Sequence, residues 1–362
     1  MNDLNRRTAA RSRNAVPRGE VSGVLETLAA GISAVIQRPY LVILPLLVDL
    51  WAWLGIQVRA DAMISSMQEV LIDQGERGTT VANELDGVAE RLRVNDVLAT
   101  LTPSVFSGLP ADSFLNILLG MVAPAMTAGV DRTTMYAGWS QGLGRTLTPD
   151  RWQEVVGFGL VFFIGATLLL VLFKMTLAQA VRGGDWPLRT IASDFVLGWC
   201  RLVGLIGLVL ATLLFVGLPI LIAAQVFLIA GVNLVALLSL VLFIAGAMAA
   251  VYTYFLLDAM FIYRVGPIQA GRMSYAVARV NLGQSWRFAA ASILIATGLL
   301  QVWDVIVANP PGVIFALVAN AVIGTGLSIA SMMFFHDRAR LPRPGVTVNT
   351  YRWRRDIPPH SH

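Results

Sequence analysis

The chain has 362 residues, of which 56% are hydrophobic and only 14% are charged, and its formal net charge is +5. Soluble proteins carry about 25% charged residues, so the composition excludes an ordinary soluble globular fold and predicts an integral membrane protein. The basic residues are scattered between apolar runs, which argues against a nucleic-acid partner and indicates contacts with a lipid bilayer and its anionic headgroups.

Residues 1–18 are predicted to form a disordered basic tail. A cleavable signal peptide needs an apolar core close behind its basic residues. No apolar run begins here before Leu41, and prolines and an aspartate interrupt that run. We therefore expect no cleavable signal, and we expect a single membrane domain over residues 19–335.

Six segments approach the roughly 20 apolar residues that a membrane-spanning helix needs. The longest apolar run, residues 202–257, holds 56 residues without a charge, and it must fold back because one helix of that length would be about 84 Å long. The sequence NPPG at 309–312 forces another turn, since proline cannot continue a helix. The sequence thus predicts an all-α, polytopic membrane protein with spans near 41–58, 155–173, 202–224, 235–257, 288–307 and 313–335.

The segment between the first two spans, residues 59–151, is predicted to be a helical insertion on the extracytoplasmic side. It holds 7 basic and 11 acidic residues and is the least lipid-like part of the chain. Within it, residues 113–130 carry no charge and are nearly long enough to span. Glycines and a proline make a straight span poor, so we expect an interfacial or re-entrant helix, and a spanning one stays open.

The charge distribution predicts the orientation in the membrane. Six spans place four segments on one side, and these hold 20 Lys and Arg against 7 Asp and Glu; they are 1–38, 174–201, 264–287 and 336–362. Cytoplasmic segments carry the excess of Lys and Arg. We therefore expect a multi-pass protein of the cytoplasmic membrane with both termini, including the tail 336–362, in the cytoplasm. The arginines expected at the membrane surface or on lipid headgroups are Arg38, Arg201, Arg264, Arg272, Arg279 and Arg287.

Three similar segments each end in an arginine that precedes an apolar span. They read LAAGISAVIQR (28–38), IASDFVLGWCR (191–201) and VARVNLGQSWR (277–287). The pattern predicts a repeated unit in which an amphipathic helix lies in the interface and leads into the membrane. Alternatively, each arginine marks only the point where the hydrocarbon ends.

Residues 258–288, DAMFIYRVGPIQAGRMSYAVARVNLGQSWRF, carry a more specific pattern. An acidic residue is followed by a Gly-x-x-x-Ala step, a serine and basic residues that lead into the next span; here these are Asp258, Gly266, Ala270, Ser274, Arg279 and Arg287. This resembles a loop of prokaryotic six-span membrane proteins of unknown function that are related to the membrane domain attached to some glycerophosphodiester phosphodiesterases. The resemblance implies a membrane scaffold, because the chain lacks a soluble phosphodiesterase domain.

Three acidic residues and the amide of Asn320 lie within the predicted spans or at their ends, where polar groups are costly. A functional reading places the carboxyl groups of Asp49, Asp258 and Asp304 on a path for protons or cations. A structural reading, which we favour, has Asp49 protonated and hydrogen-bonded to a neighbouring helix, with Asn320 as a candidate partner. The other two carboxyl groups are close enough to an interface to reach it.

The sequence carries no motif for a nucleotide, a metal or a nucleophilic serine. Its single cysteine cannot form an intrachain disulfide, and its three histidines lie at or beyond the last apolar run. We expect no enzyme activity, cofactor or metal. The prediction is a scaffold or accessory subunit that meets a membrane partner through residues 59–151, and the alternative is a transporter or channel that uses intramembrane carboxylates.

Overall fold

The computed structural model describes residues 22–55, 57–58, 65, 68, 72, 104, 146–147, 149, 151–183, 188–220, 222, 248–307 and 310–340. The predictions for the basic tail, for residues 113–130, for most of the insertion 59–151 and for most of the fourth span lie outside these residues.

The described part of the chain is helical apart from one two-residue strand pair. Its helices are α1 (Val24–Gln37), α2 (Ile43–Leu54), α3 (Trp152–Arg182), α4 (Leu188–Thr212), α5 (Leu256–Ile262), α6 (Pro267–Val280), α7 (Leu282–Ile306) and α8 (Pro310–Arg340). A 3-10 turn (Pro39–Val42) joins α1 to α2, and a π-helical turn (Leu213–Gly217) continues α4. The strands are β1 (Gln57–Val58) and β2 (Thr146–Leu147).

Four helices of the described residues are long and apolar enough to cross a membrane, and they agree with a helical membrane protein. They are Gln153–Arg182, Thr190–Ile220, Leu282–Ile306 and Pro311–Arg340. Each contains or overlaps one of the predicted spans. The bent pair α1 and α2 would bring the number to five if it crosses as one unit, and a shorter apolar helix covers Met248–Ile262.

A sharp bend separates α1 from α2. The two parts meet at 98°, and the bend begins at Arg38, directly before Pro39. A residue before proline is disfavoured in the helical conformation, and Arg38 accordingly has an extended φ of −134°. Proline at this position thus ends α1 where the first of the three similar segments ends.

The three similar segments have three different structures. The first ends at the bend after α1, whereas residues 191–201 lie inside the uninterrupted helix α4, and residues 277–287 contain the break at Asn281 between α6 and α7. A proline directly follows the first segment, whereas the first proline after Arg201 is Pro219. The recurrence in sequence therefore does not correspond to one repeated local structure.

Helix α1 packs against the C-terminal half of α8 and runs in the opposite direction. A Cβ added at Gly31 would lie 2.4 Å from the Gly326 carbonyl oxygen and 2.7 Å from the Ala330 Cβ. Glycine is therefore needed at residue 31 for the two backbones to approach this closely. Leu28 and Val35 of α1 are buried, whereas Leu25 is 79% exposed.

The centre of the bundle is an aromatic cluster from three parts of the chain. Phe255 precedes α5, Phe288 lies on α7, and Phe334 and Phe335 lie on α8, all with 0% exposure. The Phe255 and Phe334 rings stack with centroids 5.2 Å apart, and Phe288 lies 4.5 Å from Phe334. These contacts hold α8 at the middle of the fold.

The two strands bring the beginning and the end of the insertion together. Gln57 pairs with Thr146 and Val58 pairs with Leu147 in a parallel arrangement. Residue 57 follows α2 closely and residue 147 precedes α3, so the two ends of the segment between them lie side by side.

Candidate functional site

Asp258 on α5 binds side chains from two other helices. The Nζ atom of Lys174 on α3 lies 3.3 Å from Oδ1 of Asp258. The hydroxyl group of Ser331 on α8 donates a hydrogen bond of 2.5 Å to Oδ2. All three side chains have 0% exposure. The arrangement is a closed, formally neutral ion pair that joins three helices.

Burial makes each of these charges dependent on the other. A buried ion that loses its partner destabilises a protein by about 3–5 kcal/mol, because the low-dielectric interior does not replace its hydration. The ammonium group of Lys174 and the carboxylate of Asp258 compensate each other, and Ser331 satisfies the second carboxylate oxygen. The site therefore fixes the relative positions of α3, α5 and α8.

Sequence reasoning missed Lys174. It ended the second span at residue 173 and assigned Lys174 to a cytoplasmic segment, whereas α3 continues to Arg182, which is about 12 Å further along a helix. The apolar residues after Lys174 are the sequence signal that the helix continues. In the structure Met175, Leu177 and Ala178 are buried. We expected the Asp258 carboxyl group to reach a membrane interface. In the structure this carboxylate is instead enclosed with Lys174.

The other predicted intramembrane residues do not meet at this site. Asp49 on α2 is fully buried and accepts a hydrogen bond from the Ser104 hydroxyl group. Asn320 on α8 accepts a hydrogen bond of 3.3 Å from Nε1 of Trp303 on α7. Asp304 is exposed near the end of α7. These contacts give Asp49 and Asn320 partners other than each other.

The six arginines expected at the membrane surface have different surroundings in the structure. Arg38 donates a hydrogen bond of 2.7 Å to the Ala180 carbonyl oxygen and so ties the bend after α1 to α3. Arg264 forms an ion pair with Asp194, and Arg201 lies partly buried on α4. The remaining three are exposed on α6 and α7: Arg272, Arg279 and Arg287.

Arg338 on α8 is 2% exposed and was missed by sequence reasoning, which placed it in the C-terminal tail. Its guanidinium group lies 3.4 Å from the centre of the Phe334 ring, a favourable cation–π position. It also donates to Oε1 of Gln284 at 2.8 Å and to the Ser22 carbonyl oxygen at 3.3 Å. Arg338 thus holds the start of α1 and the start of α7 against α8.

Tyr263 and His336 meet beside this end of α8. Burial raises the pKa of Tyr263 to about 12, so the phenol keeps its proton at neutral pH. The hydroxyl oxygen lies 3.2 Å from Nδ1 of His336. The protonated phenol can donate to Nδ1 or accept from an Nδ1–H group, and the tautomer of His336 decides which group is the donor.

The residues of the 258–288 pattern have structural contacts within the bundle. Ala270 and Ser274 are buried on α6, and the Ser274 hydroxyl group donates a hydrogen bond of 2.7 Å to the Tyr252 carbonyl oxygen. Gly266 is the N-cap of α6. Within the described ranges there is no group of three or more His, Cys, Asp or Glu residues that could hold a metal ion.

No protein-family model matches the sequence, and searches of curated proteins and of solved structures give no match either. The resemblance of residues 258–288 to the phosphodiesterase-associated membrane domain stays a prediction.

Proposed function

We propose that this protein is a non-enzymatic scaffold or accessory subunit of the cytoplasmic membrane that assists a membrane partner. The observation that carries the proposal is the enclosed contact among Lys174, Asp258 and Ser331. Its charged atoms bind one another, and none of the three side chains has exposed surface. A catalytic or transporting carboxylate has to meet a substrate, an ion or water, whereas these groups are arranged to hold helices together.

The outer surface of the helices supports a role inside the bilayer. Large apolar side chains are exposed on the π-helical turn after α4, where Phe215 is 77% exposed, and on α7, where Leu294 is 72% and Val305 is 76% exposed. Exposed apolar surface of this extent suits lipid or the helix of another membrane protein. The proposal assigns residues 59–151 to the partner on the extracytoplasmic side and both termini to the cytoplasm.

The experiment that tests the partner role removes the insertion. Because β1 and β2 bring its ends together, a short glycine-serine linker between residues 58 and 146 can replace it while α2 and α3 stay in place. Proteins cross-linked to the full chain and to the shortened chain in native membranes are then quantified by mass spectrometry. We expect a stoichiometric partner of the full chain to be lost from the shortened chain.

The matched control for this deletion is Ser104→Ala in the full chain. The deletion also removes the Ser104 hydroxyl group that donates to Asp49, so a change in stability alone could alter the cross-links. Ser104→Ala removes the same hydrogen bond but keeps the insertion. If the set of cross-linked proteins is unchanged by the deletion, the proposed partner role of residues 59–151 is wrong.

A second candidate function is transport or conduction through intramembrane carboxylates. Asp49 supports it, because this carboxyl group is fully buried in a helix next to a sharp bend, and ionisable residues within a membrane often mark ion paths. The test is flux of protons or cations into liposomes that contain the purified protein. Flux that Asp49→Asn abolishes would support this candidate, whereas undiminished flux would exclude a role for Asp49.

A further inference from the structure

Three arginines and one aspartate line a cleft between α3, α4 and the turn after α5. Arg182 is the last residue of α3, Asp194 and Arg201 lie on α4, and Arg264 lies in the turn. We call this the arginine cleft. Its three guanidinium groups and single carboxylate leave a formal charge of +2.

Asp194 neutralises only part of this charge. Nη2 of Arg264 lies 2.8 Å from Oδ2 of Asp194, but that oxygen accepts no hydrogen bond from any residue that the structure describes. The contact is therefore an ion pair without a directed hydrogen bond. The Arg264 side chain is 44% exposed, so a ligand can reach it.

The other two guanidinium groups have donors to spare. Arg182 donates to the Ala178 carbonyl oxygen and to Oε1 of Gln179, both at 3.3 Å, and within the described ranges its Nη1 group has no partner. Arg201 has neither a hydrogen bond nor an ion pair to any residue that the structure describes. Arg264 repels both of these arginines, and Asp194 attracts both. A bound anion would add to the attraction by this single carboxylate.

The backbone at Arg264 is also unusual. Its φ of 53° places it in the left-handed region, and no other non-glycine residue in the described ranges has a positive φ. Such a conformation is unfavourable for a residue with a side chain and is concentrated at ligand sites. The turn thereby directs a third guanidinium group towards Asp194 and the cleft.

We propose that the arginine cleft binds a phosphate group, carried by a phospholipid headgroup or by a small soluble phosphate compound. Guanidinium groups bind phosphate oxygens through pairs of parallel hydrogen bonds, and a phosphate monoester carries close to the two negative charges that the cleft lacks. Met260 and Phe261 also line the cleft, but their side chains are only 1% and 5% exposed, so recognition of the phosphate rests on the guanidinium groups. The site goes beyond the proposed scaffold function and does not depend on a protein partner.

The test uses native mass spectrometry of the purified full-length protein. It is titrated with phosphatidic acid, with phosphatidylcholine as the zwitterionic reference, and with inorganic phosphate and glycerol 3-phosphate as soluble competitors. We expect phosphatidic acid to bind more tightly than phosphatidylcholine.

Arg201→Gln should weaken the binding of phosphatidic acid about tenfold or more, because it removes charge-assisted hydrogen bonds. Arg272→Gln, which removes an exposed arginine of α6, is the matched control and should have no effect.

Asp194→Asn separates a binding role from a structural one. The substitution removes the carboxylate that competes with the phosphate group, so phosphate binding should become tighter. If the ion pair had only a structural role, its loss would weaken phosphate binding or leave it unchanged.

Displacement of the lipid by glycerol 3-phosphate, or binding of the soluble compounds alone with the same dependence on Arg201, would assign the site to a soluble phosphate. Equal binding of phosphatidic acid to wild type and Arg201→Gln, with no soluble compound bound, would overturn the proposal.

Discussion

Lys174 and Asp258 are 84 residues apart in the chain and form one ion pair inside the helix bundle, with Nζ 3.3 Å from Oδ1. Neither side chain has exposed surface. Ion pairs at a protein surface contribute little to stability, but a buried pair makes each partner indispensable while the other is present. This distinction gives the pair a testable signature.

We predict that Lys174→Met lowers the free energy of unfolding by about 3–5 kcal/mol, because it leaves the Asp258 carboxylate buried without its cation. The double variant Lys174→Met with Asp258→Leu removes both charges and should recover most of that loss. Unfolding of the purified protein by SDS in mixed micelles measures both. Arg272→Met, at an exposed position, is the control for loss of a cation and should change little.

A single variant as stable as the wild type would mean that Asp258 is protonated or otherwise compensated. A double variant as unstable as the single one would mean that the packing of the lysine stem, and not the charge pair, stabilises the site. Either result would remove the observation on which the scaffold proposal depends.

The contact between α1 and α8 gives a second prediction. Gly31→Ala should destabilise the protein by about 1–3 kcal/mol, because the new Cβ would lie 2.4 Å from the Gly326 carbonyl oxygen. Gly207→Ala on α4 is the matched control, since a Cβ there meets nothing within 4 Å. Alanine at this helical position should keep or raise stability. Thermal unfolding in detergent compares the two, and equal effects would contradict the close contact seen at Gly31.

The long apolar helices could be predicted because a run of about 20 apolar residues has few alternatives to a membrane helix. Helices α3, α4, α7 and α8 each cover one such run. The bend after α1 could have been placed as well, since Pro39 disfavours a helical residue before it. These are local signals, which a single sequence contains.

The candidate site could not be predicted in the same way. Lys174 was interpreted as the end of the hydrocarbon, because a lone charge after an apolar run is typical of a membrane boundary. Its partner lies on α5, and only the packing of α3 against α5 and α8 brings the two charges together. The pairing of α1 with α8 depends likewise on two glycines 295 residues apart, Gly31 and Gly326.

Tyr263 gives a prediction that depends on pH. Burial raises its pKa in the folded protein to about 12, above the value of about 10 for an exposed phenol. The folded state therefore holds this proton more tightly than the unfolded state. Its contribution to stability is present below about pH 10 and is lost as the pH rises from there towards 12.

Absorbance at 295 nm measures this directly. The chain has seven tyrosines, and Tyr263→Phe should remove one phenol that ionises near pH 12 while the others titrate as before. Tyr275→Phe, at a position 47% exposed, is the control and should leave the titration step near pH 12 in place. If Tyr263→Phe instead removes a phenol that ionises at the pH of an exposed tyrosine, the burial of this side chain is contradicted.

The orientation in the membrane gives the last prediction. Positions 85 and 275 lie in segments of opposite predicted location, because residues 59–151 carry the acidic excess and residues 264–287 carry four arginines without an acid. A Cys200→Ser background removes the single native cysteine, which is exposed. In that background, a membrane-impermeant maleimide applied to intact cells should label Leu85→Cys but not Tyr275→Cys.

Permeabilised cells are the control, and there both positions should react, since Tyr275 is 47% exposed on α6. The predicted orientation rests on the rule that lysines and arginines mark the cytoplasmic side. Labelling of position 275 but not of position 85 in intact cells would show the opposite orientation.

The arginine cleft lies on the same side as position 275 if Arg182, Arg201 and Arg264 follow that rule. The same measurement therefore decides whether a phosphate group bound there comes from the inner or the outer leaflet.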